Sequence, residues 1–234
     1  MVRMKGTLAA LAACCLLAAG TARAQSFEGV VKFKMGTGKN LGEMTQMYKG
    51  SKARTEISSG PGGAGAMIMD MANQSMIVLM PQQKMYMVMD MNKMAAMAKN
   101  MPGAKGQGTA EAPGALPPIT DTGKTDTVAG YTCQYYIVGD TQKTEVCAAK
   151  GLGTFGMGQS PMGRMGSSPL GVLADPRYAK IWKDGFFPLK VRSLDKNETV
   201  LEATQVEKKT LDAALFTVPA GYQEMKMPSF GQKP

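Results

Sequence analysis

The chain has 234 residues, a formal charge of +9 and no histidine. Without imidazole, Ser-His-Asp and Cys-His nucleophile activation and every histidine metal site are excluded. Lys and Arg are spread along the chain rather than packed into a run, which permits weak attraction to anionic headgroups but marks no nucleic-acid interface.

The first residues read as an export signal. Arg3 and Lys5 precede the apolar run TLAALAACCLLAA, and Ala22-x-Ala24 supplies the small-residue cleavage pattern before Gln25. The run is about a dozen residues, short of the roughly 20 that cross a bilayer. Residues 1–24 are therefore expected to be a signal peptide, and 25–234 a single β-rich domain in the periplasm or outside the cell. Cleavage takes three basic residues (Arg3, Lys5, Arg23) and no acid. The alternative is a lipoprotein box, Leu11-Ala12-Ala13-Cys14, with Cys14 lipidated. Leu16–Ala19 continues the apolar run past that cysteine, which speaks against it.

Ser26–Met35 alternates, with Phe27, Val31, Phe33 and Met35 on one face and Glu28, Lys32 and Lys34 on the other. That is a half-buried strand. A turn is expected over Gly36–Asn40, then short strands at Met44–Lys49 and Ala53–Ser58, with Gly60-Pro61-Gly62-Gly63 breaking the pattern.

The next section is rich in methionine: of 22 in the chain, 12 lie between Met67 and Met101. Met67 and Met69 share a face, as do Met85, Met87 and Met89, with Ile68, Tyr86 and Val88 opposite. Ser75–Met80 is a strand between them. From Met91 the period changes to three and four, and a short amphipathic helix with a stripe including Met94 and Met97 is expected over Asn92–Asn100.

Residues 102–118 are Gly, Ala and Pro with few large apolar groups, and read as a flexible connection; 151–171 is a second one. Between them two antiparallel strands, Tyr131–Val138 and Lys143–Ala149, carry Cys133 and Cys147 around a turn at Gly139–Gln142. With a three- or five-residue connection, residues whose numbers sum to 280 would face each other. The leader removes Cys14 and Cys15, so this pair is most simply a disulfide in an oxidising compartment. No CxxC at a helix start favours the redox alternative. Leu173–Trp182 is expected to hold a helical turn or two. Strands at Phe186–Leu194 and Glu198–Lys208 follow, then a helical turn at Leu211–Phe216. About 11 candidate strands, almost all joined by tight turns, imply an antiparallel sheet.

Two patterns invite stronger readings. Gly151-x-Gly153-x-x-Gly156 matches a dinucleotide fingerprint, but the following MGQSPMGRMG does not open a helix. The methionines admit three readings: flexible core filler, an adaptable lipid or acyl surface, or a Cu(I) site built on soft thioethers. No metal or other cofactor is expected on the first two.

The segment TGKTDTVAGYTC, Thr122–Cys133, resembles the TGKTETIAGYKC signature of the bacterial proteins gathered as domain of unknown function 4412. Phe27-Glu28-Gly29, Met85-Tyr86-Met87, Thr144-Glu145-Val146, Phe187-Pro188-Leu189-Lys190 and Leu215-Phe216-x-Val218-Pro219-x-Gly221-Tyr222 extend the match along nearly the whole mature chain. Cys147 stands where that family often has Trp, a departure that favours the disulfide. The family is similar in architecture to the outer-membrane lipoprotein carriers and localisation factors. The resemblance thus implies a half-open β-barrel with one or two short helices on its concave side and acyl chains as the candidate ligand. The combined expectation is a mainly β (α+β) binding protein that is not an enzyme and not an integral membrane protein. Met67, Met69, Met85, Met87, Met89, Met94 and Met97 are the candidate ligand contacts. A copper-binding protein and an interaction module of the envelope are the alternatives.

Overall fold

Short runs of alternating or β-branched residues, punctuated by turn formers, have no long helical period to satisfy, and they fold as strands. The computed structural model describes residues 27–38, 40–58, 64–93, 118–139, 143–152 and 187–225. In chain order the strands are β1 (Gly29–Thr37), β2 (Asn40–Lys49), β3 (Lys52–Ile57), β4 (Gly65–Asp70), β5 (Ser75–Met80) and β6 (Met85–Asp90). They continue as β7 (Ile119–Val128), β8 (Tyr131–Val138), β9 (Thr144–Ala149), β10 (Phe187–Ser193), β11 (Glu198–Lys208) and β12 (Gln223–Glu224). All twelve join one sheet, ordered β12-β6-β5-β4-β3-β2-β1-β11-β10-β9-β8-β7. Every pairing is antiparallel except β12 with β6. The sheet is curved and not closed.

Two elements depart from the expectation. Periodicity does not predict β7, because ITDTGKTDTV is polar on both faces and shows no alternation. It forms an exposed edge, where polar side chains discourage pairing with another chain. The first hairpin is longer than expected: pairing runs down to Thr37↔Asn40, so Gly36, Thr37 and Asn40 are strand and not turn. Of the expected 92–100 helix, Asn92 and Lys93 are helical, together with Met91 before it. The rest of it, the 102–117 connection, nearly all of the 151–171 one and the Leu173–Trp182 turn lie outside the described residues.

Curvature follows from bulges and rings. Register shifts interrupt β1–β11 at Lys32/Phe33, β10–β11 at Val191/Arg192 and β9–β10 between Pro188 and Lys190. Each extra residue bends its strand and raises the local twist. Pro188 lies beside one of them, a place in a sheet where proline is tolerated. On one face the rings of Tyr48 (β2) and Phe187 (β10) lie 5.7 Å apart, and Phe33 (β1) stacks on Phe187 at 6.2 Å. β2 and β10 are three strand spacings apart, ~14 Å in a flat sheet. The sheet curls toward that face, and β7 comes back into contact with β11.

The Cys133–Cys147 disulfide is present, with Cα atoms 5.3 Å apart and both cysteines buried. The register corrects the expected pairing. Val138 faces Thr144 across a connection of residues 139–143, which sets Cys133 opposite Ala149 and Cys147 opposite Tyr135. The bridge is therefore diagonal. A slide of two residues keeps every side chain on its face, so the sulfurs still meet. Beside them burial, then a 2.9 Å hydrogen bond donated to Asp126, pushes the Tyr135 hydroxyl up to about 12.

The face away from the curl is closed over β1–β6 by the C-terminal segment. A 3-10 helix, Ala213–Phe216, is capped by Asp212, whose side chain accepts from the Ala214 N–H. Leu211 and Phe216 bury against Val30, Ala66, Ile68 and Leu79. Lys49 donates to the Leu211 carbonyl at 2.8 Å and to Glu28 at 2.6 Å, and the Leu211 N–H also donates to Glu28. These hydrogen bonds, from Lys49 first and Leu211 second, hold the Glu28 carboxyl below its usual range despite desolvation. A carboxyl depressed in the folded state adds stability above its unfolded pKa and loses it as pH falls through the folded one. Glu28→Gln is therefore expected to flatten the acid limb of the stability–pH curve measured by urea midpoints; an unchanged limb would refute the clasp.

Candidate functional site

Period two puts alternate residues of each strand on one face, and register lines them up across strands. Three rows result on the concave face. One runs Tyr48–Ala53–Met69–Met76–Met89. The next runs Val31–Gln46–Thr55–Met67–Val78–Met87. The third begins Phe33–Met44–Ile57, crosses Gly65, and ends at Met80–Met85 on the outer strands. The structure thus brings Met67, Met69, Met85, Met87 and Met89 together on one surface. Met94 and Met97 lie outside the described residues. Met76 and Met80 belong to the same surface. Sequence alone places them on a strand without assigning them to the site, because only register shows which β5 residues sit between the other methionines.

Depth divides this surface. Toward β1 and β2 it is filled by the protein itself: Phe33, Met44, Tyr48, Val31 and Phe187 are buried in one core. Met69 and Met76 are 1% and 2% exposed and belong to that core. Met69 is therefore a core residue and not open surface. Met67, Met85, Met87 and Met89, with Val78 and Met80, are half-buried. They make a thioether-rich strip over β4–β6 whose floor is solid.

Along β2–β6 the polar groups on this face are neutral. Gln46 is buried, accepts from the Tyr48 hydroxyl and donates to Met44 Sδ at 3.7 Å; Thr55 lies beside it in the row. Charged residues of the same strands fall on the opposite face, including Lys52, Arg54, Glu56 and Asp70, with Lys52–Asp70 and Arg54–Glu56 paired at 3.6 and 2.6 Å. Asp70 and Asp90 turn their carboxylates onto the backbone N–H groups that follow them. Among the described residues no three of His, Cys, Asp and Glu converge. A separate depression of about 220 Å³ is lined by Thr45, Arg54, Glu56, Ile57, Ala66 and Pro81. Its Arg54 already serves Glu56 and the Leu215 carbonyl. Among the described residues no helix is long and apolar enough to cross a membrane.

A family model described as a domain of unknown function (DUF4412) matches residues 27–222. No curated protein matches the sequence. Among solved structures, an uncharacterized conserved protein from Thermus thermophilus is similar at 8% identity and a TM-score of 0.47, covering 86% of this chain and 91% of that one. A structure of PNGF-II is similar at 14% identity and a TM-score of 0.42, over 86% of this chain but 31% of its own length.

Proposed function

The chain belongs to the family described as domain of unknown function (DUF4412), and from that footing we propose an exported, non-enzymatic binding protein for an apolar or amphipathic envelope ligand such as a lipid or acyl chain. One observation carries the reading: the half-buried strip of Met67, Val78, Met80, Met85, Met87 and Met89 on the concave face. Methionine is unbranched and polarizable, so a methionine surface adapts to ligands of varying shape. Each buried methylene contributes about 0.8 kcal/mol, so eight laid on the strip would give roughly 6 kcal/mol before association costs. The leader, with its cleavage pattern before Gln25, supports delivery to the periplasm or beyond, where the buried disulfide is at home. The likeness to lipoprotein carriers belongs to this proposal, as does the assignment of 25–234 as one domain.

Native mass spectrometry of gently purified protein, together with titration of a fluorescent fatty acid, tests it. The expected result is co-purified lipid, saturable probe uptake, and a loss of about tenfold or more in affinity for Met87→Glu, because a buried charge is unpaired there. Clean apo-protein with no saturable uptake, or uptake indifferent to Met87→Glu, would overturn it.

A further inference from the structure

β4, β5 and β6 carry two different chemistries on their two faces. On the outer face, directly opposed residues form the row Ile68–Ile77–Val88, all β-branched as strands prefer. One residue along each strand, the inner face sets Met69 opposite Met76 and Met76 opposite Met89. A core needing only apolar volume there would be met by the same β-branched types, whose rotamers are better defined. Methionine has instead been placed on one face, on three adjacent strands, in one register row.

We propose that Met69, Met76 and Met89 form a Cu(I)-binding site of three neutral thioethers. Directly opposed side chains start about 4.5–5.5 Å apart at Cβ, and the flexible methionine stem lets three sulfurs turn toward one ion. Soft thioether donors select Cu(I) over hard divalent ions. Met69 and Met76 lie in the core, away from water, while Met89 is half-buried and gives the ion a way in. Met91 packs against the same core and offers a further thioether. Hard oxygen ligands are kept off this face, since the carboxylates of Asp70 and Asp90 bond to the backbone that follows them. The site shares Met89 with the open strip, but Met69 and Met76 lie in the buried core, which lipid binding does not use.

The test is anaerobic competition for Cu(I) between the purified chain and a chromophoric Cu(I) chelator, with X-ray absorption on the loaded protein. The expected result is one Cu(I) per chain in an all-sulfur shell. Met89→Leu, a near-isosteric change at a half-buried position, should weaken binding roughly tenfold or more, whereas Met85→Leu, in another row, leaves it within about twofold. Met69→Leu should behave as Met89→Leu, with circular dichroism confirming the fold. Failure to take copper from the chelator overturns the site. So do nitrogen or oxygen ligands in the absorption spectrum, or equal losses in Met85→Leu and Met89→Leu.

Discussion

Replacing Cys133 and Cys147 together by alanine lowers the unfolding free energy by about 2–4 kcal/mol. The bridge spans a sequence separation of 14, for which the chain-entropy model gives about 3 kcal/mol. Both cysteines are buried, at 2% and 0% exposure, and β9 is buried along Val146–Ala149, so the lost sulfurs also leave packing contacts behind. The wild-type chain unfolded with and without reductant should show a smaller difference than the double variant, since reduction cuts the bond but leaves both sulfurs to pack. Urea denaturation reads both. A difference below about 1 kcal/mol in either comparison would show that the bond adds little to a hairpin already held by its ladder.

Phe187→Ala is expected to cost about 3–5 kcal/mol, the usual range for deleting a buried aromatic ring. Phe187 is fully buried, stacks on Phe33 and meets Tyr48 edge-on, and so ties β10 to β1 and β2 across the curl. Its loss opens a void where strands distant in the sheet order meet. Phe187→Leu, which keeps much of the volume, should cost less than half as much. Leu41→Ala, at 62% exposure on β2, should fall within about 0.5 kcal/mol of wild type. A Phe187→Ala cost near the Leu41→Ala value in chemical denaturation would mean that the ring contacts do not hold the curl.

The motifs carrying the family resemblance mark backbone and packing needs. In Phe27-Glu28-Gly29, Phe27 enters the core and Glu28 clasps Lys49 and Leu211. A Cβ on Gly29 would lie 2.1 Å from the Glu207 carbonyl oxygen, so only glycine lets β1 approach β11 that closely. In TGKTDTVAGYTC, Ala129 and Gly130 both have positive φ and form the two-residue connection between β7 and β8, whose twist suits a hairpin. Phe187 supplies the ring of β10, and Leu189 is the extra residue of its bulge, with Pro188 beside it. These motifs serve the scaffold; Met85-Tyr86-Met87 alone of the matching segments reaches the methionine strip, through Met85 and Met87.

The sequence alone determined the strand-forming periods, most of the turns, the pairing of the two cysteines and the gathering of Met67, Met69, Met85, Met87 and Met89 on one side of their strands. Those follow from local chemistry: side chains alternate with period two whatever the neighbours do. Register, neighbour and depth were decided only in three dimensions. A two-residue slide leaves every face unchanged, so periodicity could not see that Cys133 faces Ala149 or that Met76 lies between Met69 and Met89. The β1–β11 pairing joins the two ends of the chain, and bulges with the Tyr48–Phe187–Phe33 contacts curl the sheet. That curl, a property of contacts between distant strands, is what buries Met69 and Met76 and leaves Met85 and Met87 half open.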